Sequence, residues 1–219
     1  MFDRLLHPEL ILYSLPGILI GLVLHEFAHA LVADRLGDPT PRMMGRLTLN
    51  PLAHIDPIGF AMLILAGFGW AKPVVTNPSK YKIKRFGFAL TGLAGPLTNL
   101  LLTVIFLVAF NLMVDNGIIV TENFLYYIMF YAVFINAMLF IFNLLPIPPL
   151  DGYNIVKDMF LIKYVNSRAL WNFERYGQFL LIGLIIALTY SGSNILGSIV
   201  NFVITKLNDL YYLIFPLMR

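Results

Sequence analysis

Residues 10–33 read LILYSLPGILIGLVLHEFAHALVA, and the reading of this stretch decides the fold. As a helix it would be about 36 Å long, enough to cross a hydrocarbon core of about 30 Å. Its only acidic or imidazole side chains are His25, Glu26 and His29, all within five residues. Each such group costs about 2.5–3.5 kcal/mol at the centre of a membrane helix. Three together need a compensating interaction, and a bound metal supplies one. Residues four apart share a helix face, so both imidazoles can reach a single ion. His25-Glu26-Phe27-Ala28-His29 fits H-E-x-x-H, in which Glu26 would act as general base beside a zinc that acidifies water. A secretory signal is the rival reading, because the small-residue pattern Ala28-His29-Ala30 follows an apolar run. His25 and Glu26 interrupt the approach to that pattern, so a retained transmembrane helix is expected.

The whole chain supports lipid as solvent. Of 219 residues 59% are hydrophobic and only 12% charged, with a mean hydropathy of +0.79. A soluble domain is nearer half apolar and a quarter charged. With no cysteine there is neither a disulfide framework nor a thiolate metal site. The pI of about 9.1 is explained by topology rather than by nucleic acid. Eight Lys or Arg residues fall between Arg35 and Arg85 and four between Lys157 and Arg175, with none from Phe86 to Val156. Basic residues concentrate in cytoplasmic loops. The neutral breaks at Asp115-Asn116 and Ser191–Asn194 are therefore expected outside, which puts the N-terminus outside and runs the first helix inward.

Further spans are expected from about Phe86 to Val114 and from about Glu122 to Leu145. A shorter one is expected over Tyr176–Tyr190. The tail from Ile195 to Met218 reads as a fifth span or an interfacial helix, because Lys206 and Asp209 fall inside it. Between the first two spans, residues 38–85 carry six prolines, and glycines recur from Gly37 to Gly87. The longest apolar run there, Ile58–Trp70, is too short to cross a bilayer and suits a re-entrant or interfacial hairpin. Irregular backbone at membrane depth survives only against protein or water, so this segment is expected beside the active-site helices. The fold class is an all-α polytopic membrane protein of four to five transmembrane helices. It forms one domain over residues 1–219, with a core at 10–160 and accessory helices at 176–219.

Two histidines leave a catalytic zinc short of one protein ligand. The candidates are Asp151, His54, Asp56, Asp158, Glu174 and His7. Asp151 follows Pro146-Ile147-Pro148-Pro149-Leu150, where prolines end regular helix, and precedes Gly152, which permits an unusual backbone. An ordinary Asp-Gly turn is the alternative. His25 lies nine residues before Asp34, about 14 Å below the inner helix end. That is near mid-depth and open toward the cytoplasm.

These residues resemble the site-2 protease family. His25–His29 is similar to its zinc motif. Asn143-Leu144-Leu145-Pro146-Ile147-Pro148-Pro149-Leu150-Asp151-Gly152 is similar to its second signature. Gly92-Leu93-Ala94-Gly95-Pro96-Leu97-Thr98-Asn99 resembles its Gly-Pro-x-x-Asn element. The resemblance spans roughly residues 10–160. Within the family, Asn50–Pro57 and Gly69–Pro73 resemble the compact, mostly prokaryotic members that carry neither a PDZ nor a nucleotide-sensing module. It implies a Zn2+ held by His25, His29 and Asp151, and an integral membrane protease that cuts membrane-embedded or membrane-proximal helices of other proteins. It also implies that Asn143 binds substrate backbone or stabilises the oxyanion, against an ordinary interhelical hydrogen bond. Asn99 and Asn136 read as interhelical hydrogen-bonding residues. His54 reads as a loop histidine or as an accessory group near the site. Two other classes compete: a zinc-binding transporter, for which Ile18–Leu24 offers no polar route, and an inactive scaffold stabilised by zinc.

Overall fold

A computed structural model describes residues 8–66, 69–83, 86–121, 123–161, 166–190 and 194–216. His7, one of the candidate ligands, lies outside them. Among the described residues three helices are long and apolar enough to cross a membrane: α1 (Pro8–Arg35), then α5 (Gly87–Asp115) and α6 (Phe124–Asn143), which follow the loop segment. α1 has Glu9 in its first turn and Arg35 in its last, each charge matching the helix dipole there. The Asn123 side chain accepts from Leu125 N–H and caps the start of α6.

The three helices pack on one another through small residues. Ala30, Ala33 and Ala137 are fully buried, and Ala132 nearly so. Gly17 of α1 lies against Ala132 of α6, where a Cβ would meet the Ala132 backbone. In lipid there is no hydrophobic drive between helices, so close backbone approach at such residues carries the packing.

The loop between α1 and α5 folds as short helices: α2 (Thr40–Met43), α3 (Pro51–His54), α4 (Pro57–Ala66) and a 3-10 turn at Pro78–Lys80. Three Asx-Pro pairs explain this. Asn50-Pro51, Asp56-Pro57 and Asn77-Pro78 each place a capping side chain before a proline in the first turn, which needs no N–H there. Asn50, Asp56 and Asn77 accept from the amides of Leu52, Gly59 and Ser79. Pairing between extended segments is limited, among the described residues, to one antiparallel bridge, Ile55 with Ala71, beside the Lys72 N–H to His54 O bond. Ten-residue α4 is about 15 Å long, half the hydrocarbon thickness.

Buried polar side chains fasten this loop to the bundle. Asp38 accepts from the amides of Thr40 and Asn77. The Arg46 guanidinium donates to the carbonyls of Ala53 and Lys72, clamping the two arms on either side of the bridge. Tyr81 is buried, with its hydroxyl 3.1 Å from Thr91 Oγ1 of α5.

After α6 the chain turns through Leu144–Leu150 into α7 (Asp151–Val156), which continues as a wider π-type turn, Lys157–Leu161. Gly152 is required at this turn, because a Cβ there would collide with the carbonyls of Leu144 and Leu145. Helices α8 (Ser167–Tyr190) and α9 (Ile195–Ile214) complete the chain. α8 begins nine residues earlier than the span expected at Tyr176. Arg168, Glu174 and Arg175 dilute its apolar character, as Asn201, Lys206, Asn208 and Asp209 do in α9. α9 packs against α6 with Val200 fully buried. Its C-terminal half meets the far end of α5: Asn111 Nδ2 donates to Asn208 Oδ1 at 2.7 Å, and the hydroxyls of Tyr211 and Tyr212 both donate to Asp115.

Candidate metal centre

Helical spacing puts His25 and His29 one above the other on the inner face of α1, both buried. Each ring is fixed from behind by its Nδ1. His29 Nδ1 lies 2.7 Å from the carbonyl oxygen of Thr91, which can only accept, so this nitrogen carries the proton. His25 Nδ1 lies 2.6 Å from Asn99 Oδ1. The Asn99 amide is oriented in turn, since its Nδ2 donates to Gly21 O at 3.3 Å and to Asn136 Oδ1 at 3.2 Å. His25 Nδ1 is therefore a donor too. Both neutral rings must then present bare Nε2 lone pairs.

Those lone pairs face each other at 3.0 Å. Asp151 Oδ2 joins them at 3.1 Å from His25 Nε2 and 3.2 Å from His29 Nε2. It is buried and receives no hydrogen bond. Three acceptors converge with no proton between them, an arrangement that only a cation or added protons can stabilise. Ligand atoms about 2.0–2.1 Å from a tetrahedral zinc stand about 3.3 Å apart. The observed triangle fits zinc.

The neighbouring residues explain why the site can close. Gly95 of α5 packs on the two rings, and a Cβ there would run into Nε2 of both. Asp151 is the first residue of α7, and Gly92 lets α7 lie close on α5, where a Cβ would sit 3.2 Å from Ile155 Cγ1. Glu26, buried beside the histidines, accepts from Val74 N–H at 3.1 Å through Oε2. The Pro/Gly-rich loop thus lies against the site, with its backbone holding Glu26, a carboxylate that stands outside the triangle.

The other candidates are engaged elsewhere. Asp56 caps α4, Asp158 accepts from Ala89 N–H, and Glu174 accepts from Tyr153 Oη and pairs with Lys157. His54 is fully buried, with Nε2 donating to Thr48 O at 2.8 Å, and the structure does not bring it into the group. Asn143 Nδ2 donates to Leu139 O one turn back along its own helix. Among the described residues His25, His29 and Asp151 are the group of His, Asp and Glu side chains close enough to share an ion. Sequence reasoning missed Asn99 as the partner of His25, treating it as interhelical glue. Gly95 and Asn99 are four apart on one helix face, which was the available signal.

Comparisons with known proteins agree with this chemistry. The family model described as Peptidase family M50 matches residues 111–187. The chain is 38% identical over 204 residues to the candidate zinc metalloprotease YwhC of Bacillus subtilis, covering 91% of each. It is 32% identical over 180 residues to the candidate zinc metalloprotease Rip2 of Mycobacterium tuberculosis, covering 80% of this chain and 67% of that one. No solved structure matches. With three helices among the described residues able to span a bilayer and a metal-ready triangle of His25, His29 and Asp151, the chain belongs to Peptidase family M50, the site-2 proteases, and is an integral membrane zinc metalloprotease.

Proposed function

We propose that this protease works inside the membrane, hydrolysing peptide bonds within or near the transmembrane helices of other membrane proteins. One observation carries the reading: three acceptors, His25 Nε2, His29 Nε2 and Asp151 Oδ2, converge where α7 meets the inner face of an apolar span. A site so costly to place in lipid suits a substrate that itself lies there. In this reading His25, His29 and Asp151 hold the zinc, which when bound supplies Lewis acidity toward water and the scissile carbonyl. Glu26 is the general base. Val74 N–H holds Oε2, so Oε1 takes the proton of the attacking water and later delivers it to the leaving amine. Asn99 and the Thr91 carbonyl keep both rings in the ligating tautomer. Asn143 and His54 stay outside this machinery, with Asn143 Nδ2 and His54 Nε2 each bonded within its own segment.

The whole chain acts as one membrane domain, its core at 10–160 and its accessory part at 176–219. The Lys/Arg asymmetry supports an N-terminus outside and a site open toward the cytoplasm. α9 is proposed as the fourth span. Its residues 208–212 meet the Asp115 end of α5, and Asn194 lies about 21 Å back from Asn208 along the helix axis. α8 then lies along the inner surface, which moves Asn194 to the cytoplasmic side.

The test is zinc-dependent cleavage of a single-span peptide by the purified protein in lipid vesicles. Loss of cleavage on chelation and its return with zinc are expected. Cleavage unaffected by chelation and by Glu26→Gln would remove the basis of the proposal.

A further inference from the structure

A cavity of about 370 Å3 lies between α1, α6 and the part of the loop from Ile55 to Trp70. Along α1 it extends from Leu10 to Leu22, about 18 Å. Leu22 precedes His25 by three residues and Glu26 by four, so the inner end of the cavity is one helical turn from the site. Its walls are mostly apolar. Of the two lining residues with hydroxyls, Ser14 already donates to Ile11 O. The walls offer a peptide backbone few partners, so an occupant presents side chains and keeps its backbone bonded within itself.

The loop that forms the outer wall also reaches the site. From the wall at Trp70 the chain runs through the Ile55–Ala71 bridge to Val74, whose N–H holds Glu26. An engineered void of about 150 Å3 accepts one benzene. A space more than twice that size suits two or three large aliphatic or aromatic side chains.

Resting on the function proposed above, we infer that this cavity is a substrate subsite. It receives large apolar side chains of a membrane-spanning helix on the Leu10 side of the scissile bond. The helix stays wound there and opens only beyond Leu22, where the site's polar groups begin. Specificity then comes from α1, from Leu63 and Trp70 of the loop, and from Phe134 and Met138 of α6.

Two synthetic single-span peptides serve as probes, with Leu or with Ala on both sides of a central Gly-Pro. In vesicles, full-length protein carrying Glu26→Gln and a photo-crosslinking residue at position 138 should label the Leu peptide about tenfold more than the Ala peptide. In the active enzyme, Leu63→Trp, which fills the cavity, should lower the Leu-over-Ala ratio of kcat/KM by about tenfold. Met138→Ala should shift preference toward Phe in place of Leu. Label found on phospholipid alone would make this an acyl-chain site and overturn the inference. So would a Leu-over-Ala ratio unchanged in Leu63→Trp and a Phe preference unchanged in Met138→Ala. Crosslinking is read without turnover, so its failure in a hydrolysing enzyme counts against the cavity alone. An enzyme that never hydrolyses counts against the function.

Discussion

His25 Nδ1 and Asn99 Oδ1 stand 2.6 Å apart across two helices, although 74 residues separate them in the chain. Asn99 is in turn bonded to Asn136 of α6, so one polar chain links the three membrane-spanning helices to the ring. Between helices in lipid such a bond contributes only about 1 kcal/mol to stability. Its larger consequence is for the metal, because it fixes which nitrogen of His25 carries the proton.

Asn99→Leu should therefore weaken zinc binding by about 10–100-fold, the usual effect of losing an outer-shell partner. Asn136→Leu leaves His25 Nδ1 with its acceptor, so its effect on zinc should be smaller. Zinc competition with a chelator on the purified variants checks the order.

Gly95 makes a sharper test of the geometry. A Cβ added there meets Nε2 of both histidines, the atoms that must face the ion. Gly95→Ala should lose zinc and activity while the protein stays helical by circular dichroism. Gly183→Ala is the control, since nothing lies within 4 Å of the added carbon, and it should leave zinc content unchanged.

Glu26 and Asp151 are both carboxylates at the site, yet their surroundings separate their roles. Asp151 Oδ2 sits in the triangle of acceptors, whereas Glu26 is held by a backbone amide outside it. Glu26→Gln should keep the metal and lose hydrolysis by about 100-fold or more. Asp151→Ala should lose both. Zinc analysis alongside peptide cleavage checks the split; release of zinc by Glu26→Gln with retention by Asp151→Ala would reverse the assignment.

Much of this site was legible because its chemistry is local. Four-residue spacing on α1 brings His25 and His29 together whatever surrounds them. Asp151 could be singled out because the prolines before it end α6 and leave a turn. Asn99 was not legible as a ligand-orienting group, since nothing in a single helix tells which neighbour its amide will meet. The loop lies beside the site as expected, but its local structure was only partly legible. Its prolines suggested a re-entrant or interfacial hairpin without showing that three of them follow an Asn or Asp and start helical turns. α9 shows a third limit: Asn208 and Tyr211 look like blemishes in an apolar run until Asn111 and Asp115 are seen opposite them.

Asp38 gives the loop a pH dependence. Burial opposes its ionisation, but the amides of Asn77 and Thr40 outweigh that and hold the carboxyl below its ordinary value of 3.8. A carboxyl depressed on folding stabilises fully above its unfolded value, and that contribution fades as pH falls through the folded one. The tie between Asp38 and Asn77 should therefore be intact at neutral pH and weaken only below about pH 4. Asp38→Asn should show the loosened loop already at pH 7. Protease sensitivity of residues 69–83, compared between wild type and variant across pH, measures it.

The two ends of α9 decide the topology. The chain has no native cysteine, so single cysteines can be labelled from either side of sealed vesicles without background. Lys82→Cys and Ser167→Cys should react from the cytoplasmic side and Asn116→Cys from outside, following the basic loops. Asn194→Cys separates two arrangements that charge alone leaves equal, because residues around it carry no Lys or Arg. If α8 crossed the membrane, position 194 would be outside, beside position 116. The contacts of Asn208, Tyr211 and Tyr212 with Asn111 and Asp115 put the other end of α9 at that surface. With α9 packed on α6 and running back from that end, Asn194 is expected about 21 Å deeper, toward the cytoplasm. Labelling of Asn194→Cys from inside is the expected result, and labelling from outside would restore α8 as a span and require α9 to lie across the bundle.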